Sequence, residues 1–262
     1  MQRTLPAAAI AVMTALSLVA CSNSDSGPAI DQVRASGVLR VGTEGTYTPF
    51  SYQGADGQLT GYDVDVVRAI GDKLGVSVEF TQSPWDSLFA GLEAGRFDLV
   101  ANQVAVSDER IQRYDLSTPY TFSEGVIITR ADDTSITSVA DLDGKTAAQA
   151  PACNWAQVAR DAGANVETVS GFVQAIMLLK NGRVDATVND NLAIDEYENR
   201  TGDASLRMAA YTGDTSEQAF AASKGSGLVP DIDQALDELR ADGILAQISE
   251  KYFGSDVSSP TD

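Results

Sequence analysis

The sequence contains no histidine, and this absence excludes several kinds of chemistry. Histidine is the commonest general base and the commonest metal ligand in proteins. Its absence argues against a zinc site and excludes any Ser-His or Cys-His catalytic pair. Only two cysteines are present, Cys21 and Cys153, so at most one disulfide could form. We expect none, because Cys21 lies in a motif with another use, and we predict no metal and no cofactor.

Basic residues are also scarce. The chain has 18 Lys and Arg against 37 Asp and Glu, which gives a net charge of −19 at pH 7. Phosphate binding needs a basic face, so nucleic acid is a poor partner for this chain. Its 262 residues suffice for a sizeable core and one or two α/β domains. The acidity is typical of a soluble protein in a secreted setting.

The first twenty residues are typical of a bacterial export signal. Arg3 supplies a minimal positive start, and the apolar run that follows is too short and weak for a membrane span. The run ends in Leu18-Val19-Ala20-Cys21, which resembles the lipobox of bacterial lipoproteins. The alternative is an ordinary secretory signal followed by an unrelated cysteine. We expect residues 1–20 to be a lipoprotein signal peptide, Cys21 to carry lipid, and residues 21–35 to form a flexible tether.

One stretch, from Gly95 to Arg110, combines the strongest signals in the chain. Gly95 ends an apolar-periodic helix, and Phe97 to Ala101 is a short apolar run typical of a strand covered on both faces. Asn102 and Gln103 follow at the carboxyl end of that strand, where ligands bind in open α/β sheets. The guanidinium of Arg110 could hold a carboxylate by two parallel hydrogen bonds.

The pattern Gly-Arg-x-Asp-x-x-x-Asn occurs twice, at residues 95–102 and 182–189. Each copy follows an amphipathic helix, the second from Phe172 to Lys180. A chance match of four identities is the alternative, but the shared helix–glycine–strand context favours a structural repeat. We therefore predict two similar lobes with a cleft between them, one wall carrying Arg110 and the other Asp190. These side chains suit a molecule that has both a carboxylate and an ammonium.

Several short motifs resemble one protein family in their order and spacing. They are Gly42-Thr43-Glu44-Gly45-Thr46-Tyr47-Thr48-Pro49-Phe50, Gly61-Tyr62-Asp63-Val64-Asp65, Trp85-Asp86, Ser107-Asp108-Glu109-Arg110 and Tyr114-Asp115-Leu116-Ser117-Thr118-Pro119-Tyr120. They look like the extracytoplasmic solute-binding proteins of polar amino acid ABC importers, bacterial solute-binding family 3. The resemblance runs from about Val38 to Gly254. Asn102-Gln103-Val104 and the opening Thr43 to Tyr47 look most like the cystine-binding branch.

The resemblance implies an α/β, two-lobe periplasmic binding protein-like fold (type II) with two chain crossovers and a ligand cleft between the lobes. The first lobe would comprise residues 36–125 and 221–254, and the second lobe residues 126–220. Residues 255–262 look disordered.

The resemblance also implies roles for two charged residues. Arg110 would clamp the α-carboxylate of the ligand, and Asp190 would bind its α-ammonium. From the sequence alone, Arg110 could instead be a surface arginine paired with Asp108 or Glu109. Asp190 could instead cap the helix that follows it.

The remaining candidate residues form walls and polar contacts. The aromatic walls are Tyr47, Phe50 and Trp85, and the polar contacts are Glu44, Asn102, Gln103 and Asn154. Aromatic residues lie in protein cores more often than at ligands, and this alternative applies most to Phe50. Glu44 could hydrogen-bond a polar end of the ligand or remain solvated.

Two departures from the family bear on which ligand is bound. Ala105 and Ala152 occupy site positions where the family often has a hydroxyl residue, so two possible hydrogen bonds are absent. Cys153 adjoins the second of them. It could be a small buried residue or a free thiol in the cleft that exchanges with a disulfide-containing ligand.

Together these observations predict a non-enzymatic, monomeric binding protein, lipid-anchored outside the cytoplasmic membrane. It would capture a polar amino acid, with cystine or a related sulfur amino acid favoured, and deliver it to an ABC permease and its ATPase. One alternative is a dehydratase-like enzyme on the same fold, with Glu44 or Asp190 as proton donor. Another is an amino acid sensor domain.

Overall fold

A computed structural model describes residues 29–260, which form a mixed α/β structure around a central sheet. The α/β class is as predicted. The expected signal peptide, residues 1–20, and the expected lipid anchor, Cys21, lie outside the described residues. Within the described residues, no helix combines the length and hydropathy needed to cross a membrane.

Strands and helices alternate along much of the chain. The strands are β1 (Val38–Thr43), β2 (Thr46–Tyr47), β3 (Ser51–Gln53), β4 (Leu59–Thr60), β5 (Ser77–Gln82), β6 (Leu99–Ala105), β7 (Tyr114–Leu116), β8 (Thr121–Arg130), β9 (Thr146–Gln149), β10 (Asn165–Thr168), β11 (Thr187–Asp190) and β12 (Leu206–Ser223). The helices are α1 (Ala29–Ser36), α2 (Tyr62–Leu74), α3 (Trp85–Glu93), α4 (Asp108–Arg113), α5 (Asn154–Asp161), α6 (Phe172–Lys180), α7 (Asn191–Thr201), α8 (Val229–Ala241) and α9 (Ile244–Phe253), with a short 3₁₀ helix at Val139–Leu142.

The first lobe is built on the parallel strands β5, β1 and β6, with β1 in the middle. Because parallel strands end at the same edge of a sheet, the carboxyl ends of β1 and β6 meet. Thr43, at the end of β1, donates a hydrogen bond from its hydroxyl to Asn102 Oδ1 on β6, over 3.1 Å. This edge of the sheet faces the second lobe.

Two long strands connect the lobes. β8 and β12 pair antiparallel from Thr121 opposite Gln218 to Arg130 opposite Leu206. The register shifts between Tyr211 and Thr215, so the ribbon is irregular there. In the second lobe, β11 pairs with β8, while β9 and β10 form a separate parallel pair. The chain therefore leaves the first lobe along β8 and returns along β12.

The predicted repeat has a structural counterpart. Gly95 and Gly182 each follow the last turn of a helix with positive φ, 66° and 65°. Their amides donate to Leu92 and Leu179 carbonyls, as in a glycine-terminated helix.

The aspartates of the two copies make equivalent hydrogen bonds. Asp98 accepts a hydrogen bond from the backbone amide of Arg40 on β1, over 3.0 Å. Asp185 accepts one from the backbone amide of Thr146 on β9, over 2.9 Å. The last residues of the two copies, Asn102 in β6 and Asn189 in β11, both line the cleft between the lobes.

The predicted tether is wrong over residues 29–35. These residues belong to helix α1, and Ile30 and Val33 are buried in the core of the first lobe. Their three-residue spacing places both side chains on one helix face, which packs inward. Residues 21–28 lie outside the described part of the chain.

The prediction of a disordered tail is wrong over residues 255–260. Val257 is buried against the first-lobe core, and its carbonyl accepts a hydrogen bond from the amide of Phe122, over 2.9 Å. The apolar side chain of Val257 and this backbone bond fix the end of the chain beside β8.

The two lobes are in contact. Leu192 and Ala193, at the start of α7 in the second lobe, pack into the apolar core of the first lobe. Phe172, at the start of α6, touches the cores of both lobes. The described conformation is therefore closed.

Candidate functional site

The cleft between the lobes contains a cavity of about 60 Å³. The first lobe contributes strand ends and the start of α3, and the second lobe contributes the ends of β9 and β11 and the starts of α5 and α6. The lining residues are Glu44, Tyr47, Trp85, Asn102, Gln103, Ala150, Cys153, Asn154, Trp155, Gly171, Phe172, Asn189 and Asp190.

Asp190 is the buried acid of the second lobe. Its carboxylate accepts hydrogen bonds from Ser123 Oγ (2.6 Å), Trp155 Nε1 (3.1 Å) and Gln218 Nε2 (3.0 Å). Burial raises the pKa of Asp190, and the bonds from Ser123 and Trp155 oppose that rise. Asp190 is also the residue preceding α7, but its side chain makes no capping hydrogen bond there. The carboxylate therefore faces the cleft network rather than the helix end.

Room for this network depends on a glycine. A Cβ at Gly125, on β8, would lie 2.4 Å from the indole ring of Trp155. Only glycine at this position allows the Trp155 ring to lie beside β8 and donate a hydrogen bond to Asp190.

Glu44 is the acid of the first lobe. Its carboxylate accepts hydrogen bonds from Thr46 Oγ1 (3.1 Å) and Asn102 Nδ2 (3.3 Å). Burial raises the pKa of Glu44. Asn102 is fixed in turn, because its Oδ1 accepts from the backbone amide of Glu44 over 2.8 Å. Within the described residues, neither Glu44 nor Asp190 forms an ion pair with a lysine or arginine.

Arg110 is buried, with 9% of its surface exposed. Its guanidinium donates to the carbonyl of Ala105 (2.7 Å) in its own lobe and to the carbonyl of Ala152 (3.1 Å) across the cleft. The rings of Trp85 and Phe89 lie 5.4 and 5.5 Å from the guanidinium carbon. Burial lowers the pKa of Arg110, although an arginine remains charged.

The alternative role of Arg110 as a surface arginine is not observed. Among the described residues, Arg110 forms no ion pair with Asp108 or Glu109. It lines a larger groove that meets the cavity at Cys153 and Asn154. A buried cation bonded only to carbonyl groups is suited to an anionic ligand group.

Two of the three predicted aromatic walls line the cavity, and one does not. Trp85 is 6% exposed, and its Nε1 is buried without a hydrogen-bond partner among the described residues. Tyr47 donates from its hydroxyl to Asn189 Oδ1, over 2.9 Å. Phe50 is completely buried behind Tyr47, with 4.8 Å between the ring centroids, and does not line the cavity. The prediction of Phe50 as a wall is therefore wrong, because that ring packs into the first-lobe core.

Gln103 has an unusual backbone. Its φ is +51°, the single positive value among non-glycine residues in positions 29–260. Such a conformation costs about 1–3 kcal/mol and persists only when its surroundings enforce it. Gln103 lines the cavity, and its Oε1 is buried without a hydrogen-bond partner in the described part of the chain.

The predicted site residues thus fall into three groups. Around the cavity lie Glu44, Tyr47, Trp85, Asn102, Gln103, Cys153, Asn154 and Asp190. Arg110 and Ala152 lie in the adjoining groove. The side chains of Phe50 and Ala105 line neither, and Ala105 takes part only through its carbonyl, which holds Arg110.

Five lining residues were missed from the sequence: Ala150, Trp155, Gly171, Phe172 and Asn189. A signal existed for Asn189, since the repeat places it in the same position as Asn102. Trp155, Gly171 and Phe172 stand at helix starts, and no sequence pattern distinguishes a helix start at a cleft from one in solvent.

The site has the chemistry of a receptor for a zwitterion. It holds one buried cation, one buried acid, one half-buried acid and two aromatic walls. It also offers an unpartnered donor, Trp85 Nε1, and an unpartnered acceptor, Gln103 Oε1. Buried polar groups are nearly always hydrogen-bonded, so unpartnered ones at a cavity point to a ligand.

Comparisons with known proteins agree with this chemistry. The L-cystine-binding protein TcyA of Bacillus subtilis is 45% identical over 238 residues, covering 90% of this chain and 88% of the relative. The structure of the L-cystine solute receptor of Neisseria gonorrhoeae, in an unliganded open conformation, is 41% identical and covers 90% of this chain and 100% of that one, with a TM-score of 0.62. An ancestral arginine-binding protein bound to arginine is 36% identical and covers 83% of this chain and 99% of that one, with a TM-score of 0.78.

The structure with the higher sequence identity has the lower TM-score. The open receptor is more similar in sequence but less similar in shape, which fits the closed lobes described here. The solved neighbours share the type II, two-lobe architecture. The chain also matches the family model of the bacterial extracellular solute-binding proteins, family 3, over residues 39–255, and it belongs to that family.

Proposed function

We propose that this protein is the extracytoplasmic receptor of an amino acid ABC importer and that its ligand is L-cystine or a related sulfur amino acid. The observation that carries this proposal is the separation of unpaired charges across the cleft. Among the described residues, the cation of Arg110 donates hydrogen bonds only to carbonyl oxygens, and Asp190 accepts hydrogen bonds only from uncharged groups. An α-carboxylate at the first and an α-ammonium at the second would pair both of these charges.

Glu44 supports a ligand with a second polar end. It is a half-buried carboxylate on the first lobe, across the cleft from Gly171, and no cation contacts it among the described residues. Cystine carries two ammonium groups, so one would face Asp190 and the other Glu44. The 45% identity with an L-cystine-binding protein supports the same choice.

Ligand capture would act through lobe closure. A ligand that contacts both lobes binds the closed state more tightly and increases its population. The β8–β12 ribbon, irregular near Tyr211, joins the lobes and would absorb the motion. The closed receptor would then dock on a membrane permease with its ATPase, as a monomer and without enzymatic turnover.

The anchoring proposal rests on Leu18-Val19-Ala20-Cys21 alone. Growth of the expressing bacterium with a clickable fatty acid should label the wild-type protein and leave Cys21→Ser unlabelled. Equal labelling of both proteins, or of neither, would refute the lipoprotein assignment and leave the binding proposal intact.

The binding proposal is tested by a thermal-shift screen of lipid-free protein (residues 22–262) against single amino acids. These include L-cystine, L-cysteine, L-arginine, L-histidine and L-glutamine. A ligand at 100 times its Kd adds about 2.7 kcal/mol to the free energy of unfolding. We expect the largest shift with L-cystine.

Other results would change the assignment in defined ways. A larger shift with another amino acid would keep the receptor and discard cystine. The absence of any shift would refute amino acid capture and favour the dehydratase-like alternative, to be tested by turnover of carboxylated ring substrates. A sensor domain would bind equally well, so uptake of labelled ligand by cells lacking the protein distinguishes sensing from transport.

A further inference from the structure

Gln103 adopts its left-handed backbone conformation at a break in the central sheet. β6 pairs with β12 at Val104 and Ala105 and again at Leu99 and Val100, with a register shift between the two pairs. The backbone amide of Gln103 therefore takes no part in the pairing of β6 with β12 and points toward helix α2.

Asp63, in the first turn of α2, receives that amide. Its Oδ2 accepts a hydrogen bond from Gln103 N over 2.9 Å, and its Oδ1 accepts one from Gln103 Nε2 over 2.6 Å. Tyr120 adds a third bond from its hydroxyl to Oδ1, over 2.8 Å. The Asp63 side chain is fully buried, although it does not itself line the cavity.

These bonds determine which way the Gln103 amide points. A carboxylate only accepts hydrogen bonds, so the donor Nε2 must face Asp63. Thr121 Oγ1 lies 3.2 Å from the same nitrogen. The remaining atom, Oε1, is then a buried acceptor at the wall of the cavity, with no hydrogen-bond partner among residues 29–260.

We propose that Asp63 is a positioning residue for ligand binding, which holds Gln103 so that Gln103 Oε1 accepts a hydrogen bond from the ligand. This inference rests on the proposed function, because it requires a ligand that carries an N–H donor. An α-ammonium supplies that donor.

Protonation of Asp63 would weaken this arrangement. Burial raises the pKa of Asp63 to about 7, against the lowering effect of the bonds from Gln103 and Tyr120. A protonated carboxyl donates a hydrogen bond from one oxygen. The side-chain amide of Gln103 can then rotate so that Oε1, instead of Nε2, faces Asp63. Ligand affinity should therefore fall as the pH drops below about 7.

The groups around Asp63 do not titrate in this range. Tyr120, which precedes β8, and Tyr62, on α2, have pKa values raised by burial above their ordinary value of 10, and so does Tyr47 on β2. Gln103 on β6 and Thr121 on β8 are uncharged. No lysine or arginine of residues 29–260 forms an ion pair with Asp63.

The test is titration calorimetry of the purified protein with L-cystine between pH 6 and pH 8. If L-cystine does not bind, the amino acid with the largest thermal shift replaces it. We expect Asp63→Asn to raise Kd about tenfold at pH 8, and Gln103→Ala to do the same. The double variant should be no weaker than either single variant, because Asp63 acts through Gln103. Asp72→Asn, an exposed change on the same helix, should leave Kd unchanged.

The pH profile separates positioning from a general structural role. Asp190 and Glu44 also have raised pKa values, and both could contribute to the pH dependence of Kd. The pH dependence of the wild type is therefore compared with that of each variant. Wild-type Kd should rise from pH 8 to pH 6 by more than the Kd of Asp63→Asn or Gln103→Ala. If Asp63→Asn does not fold, wild type and Gln103→Ala decide the question.

The two possible failures are distinct. If no amino acid binds the wild type at any pH, the proposed function fails and this inference fails with it. If the wild type binds and the two substitutions are additive, or their pH profiles match the wild type, only the role of Asp63 is refuted.

Discussion

The hydroxyl of Tyr47 donates a hydrogen bond to Asn189 Oδ1 over 2.9 Å and so joins the first lobe to the second directly above the cavity. The two residues are separated by 142 positions in the chain. Each lies in a sequence motif of its own lobe, Tyr47 in the loop after β1 and Asn189 at the end of the second repeat. The contact therefore joins the two lobes in the closed conformation described here.

Removal of this bond should shift the lobes toward the open state. A typical intramolecular hydrogen bond contributes about 1 kcal/mol, so Tyr47→Phe should raise the Kd for the ligand about fivefold. Small-angle scattering of the ligand-free variant should give a larger radius of gyration than wild type. Tyr52→Phe, on a tyrosine of β3 that does not line the cavity, is the control. An unchanged Kd and radius would show that the bond does not influence closure.

Arg110→Ala should weaken ligand binding strongly. Loss of the guanidinium leaves the ligand carboxylate buried and unpaired, which costs about 2–5 kcal/mol and raises Kd roughly 30- to 5,000-fold. Calorimetry measures this directly. Arg113→Ala is a matched control on the same helix, since Arg113 is exposed and paired with Glu93 over 2.8 Å. Equal Kd values for the two variants would refute the carboxylate clamp.

The ligand-free protein should become less stable as the pH rises from 5 to 8. Burial raises the pKa of Asp63 to about 7 and also raises the pKa of Asp190 and Glu44. Between their unfolded and folded pKa values the native state binds more protons, so the free energy of unfolding falls as pH rises. This contribution is complete below about pH 4 and is lost above the folded pKa values.

Calorimetric melting of the ligand-free protein tests this sign. The chain has no histidine, so few other groups titrate in the same range. Asp63→Asn removes one of the titrating carboxyls and should reduce the slope of Tm against pH. A Tm that increases from pH 5 to pH 8 would contradict the prediction.

Cys153 should not exchange with cystine in the folded protein. Burial raises the pKa of its thiol to about 11, and the nearby Arg110 lowers it only in part. The reactive thiolate is then roughly one part in several thousand at pH 7.4. Peptide mapping after incubation with cystine should find Cys153 unmodified, whereas protein denatured in urea should acquire a half-cystine there. A mixed disulfide at Cys153 in the folded protein would instead support a role for the thiol in the site.

Much of the local structure could be predicted from residue patterns. The apolar spacing of Val66, Val67, Ile70 and Leu74 predicts helix α2, and Gly75 ends it in a left-handed conformation as expected. The helix end before Gly95 also agrees, but the strand after it runs from Leu99 to Ala105 and so includes Asn102 and Gln103, which were expected to follow it. Such patterns are reliable because helix and strand periodicities depend on neighbouring residues.

Other features could not be read from the chain. Phe50 and Trp85 are both aromatic residues beside loop signals, yet one is in the core and the other lines the cavity. Asp63 looks like an ordinary acid in the first turn of a helix, where carboxylates are usually solvated. Its burial and its bonds to Gln103, 40 positions away, arise only when α2 packs against β6.

The sequence by itself determined the two repeated helix–glycine–strand units, the polar residues at their strand ends and the family to which the chain is similar. Tertiary structure alone decided which side chains line the cavity, which are buried without a charged partner, and how Asp63 constrains Gln103. The physical reason is that secondary structure follows from local spacing, whereas burial and hydrogen-bond partnership depend on residues brought together from distant parts of the chain.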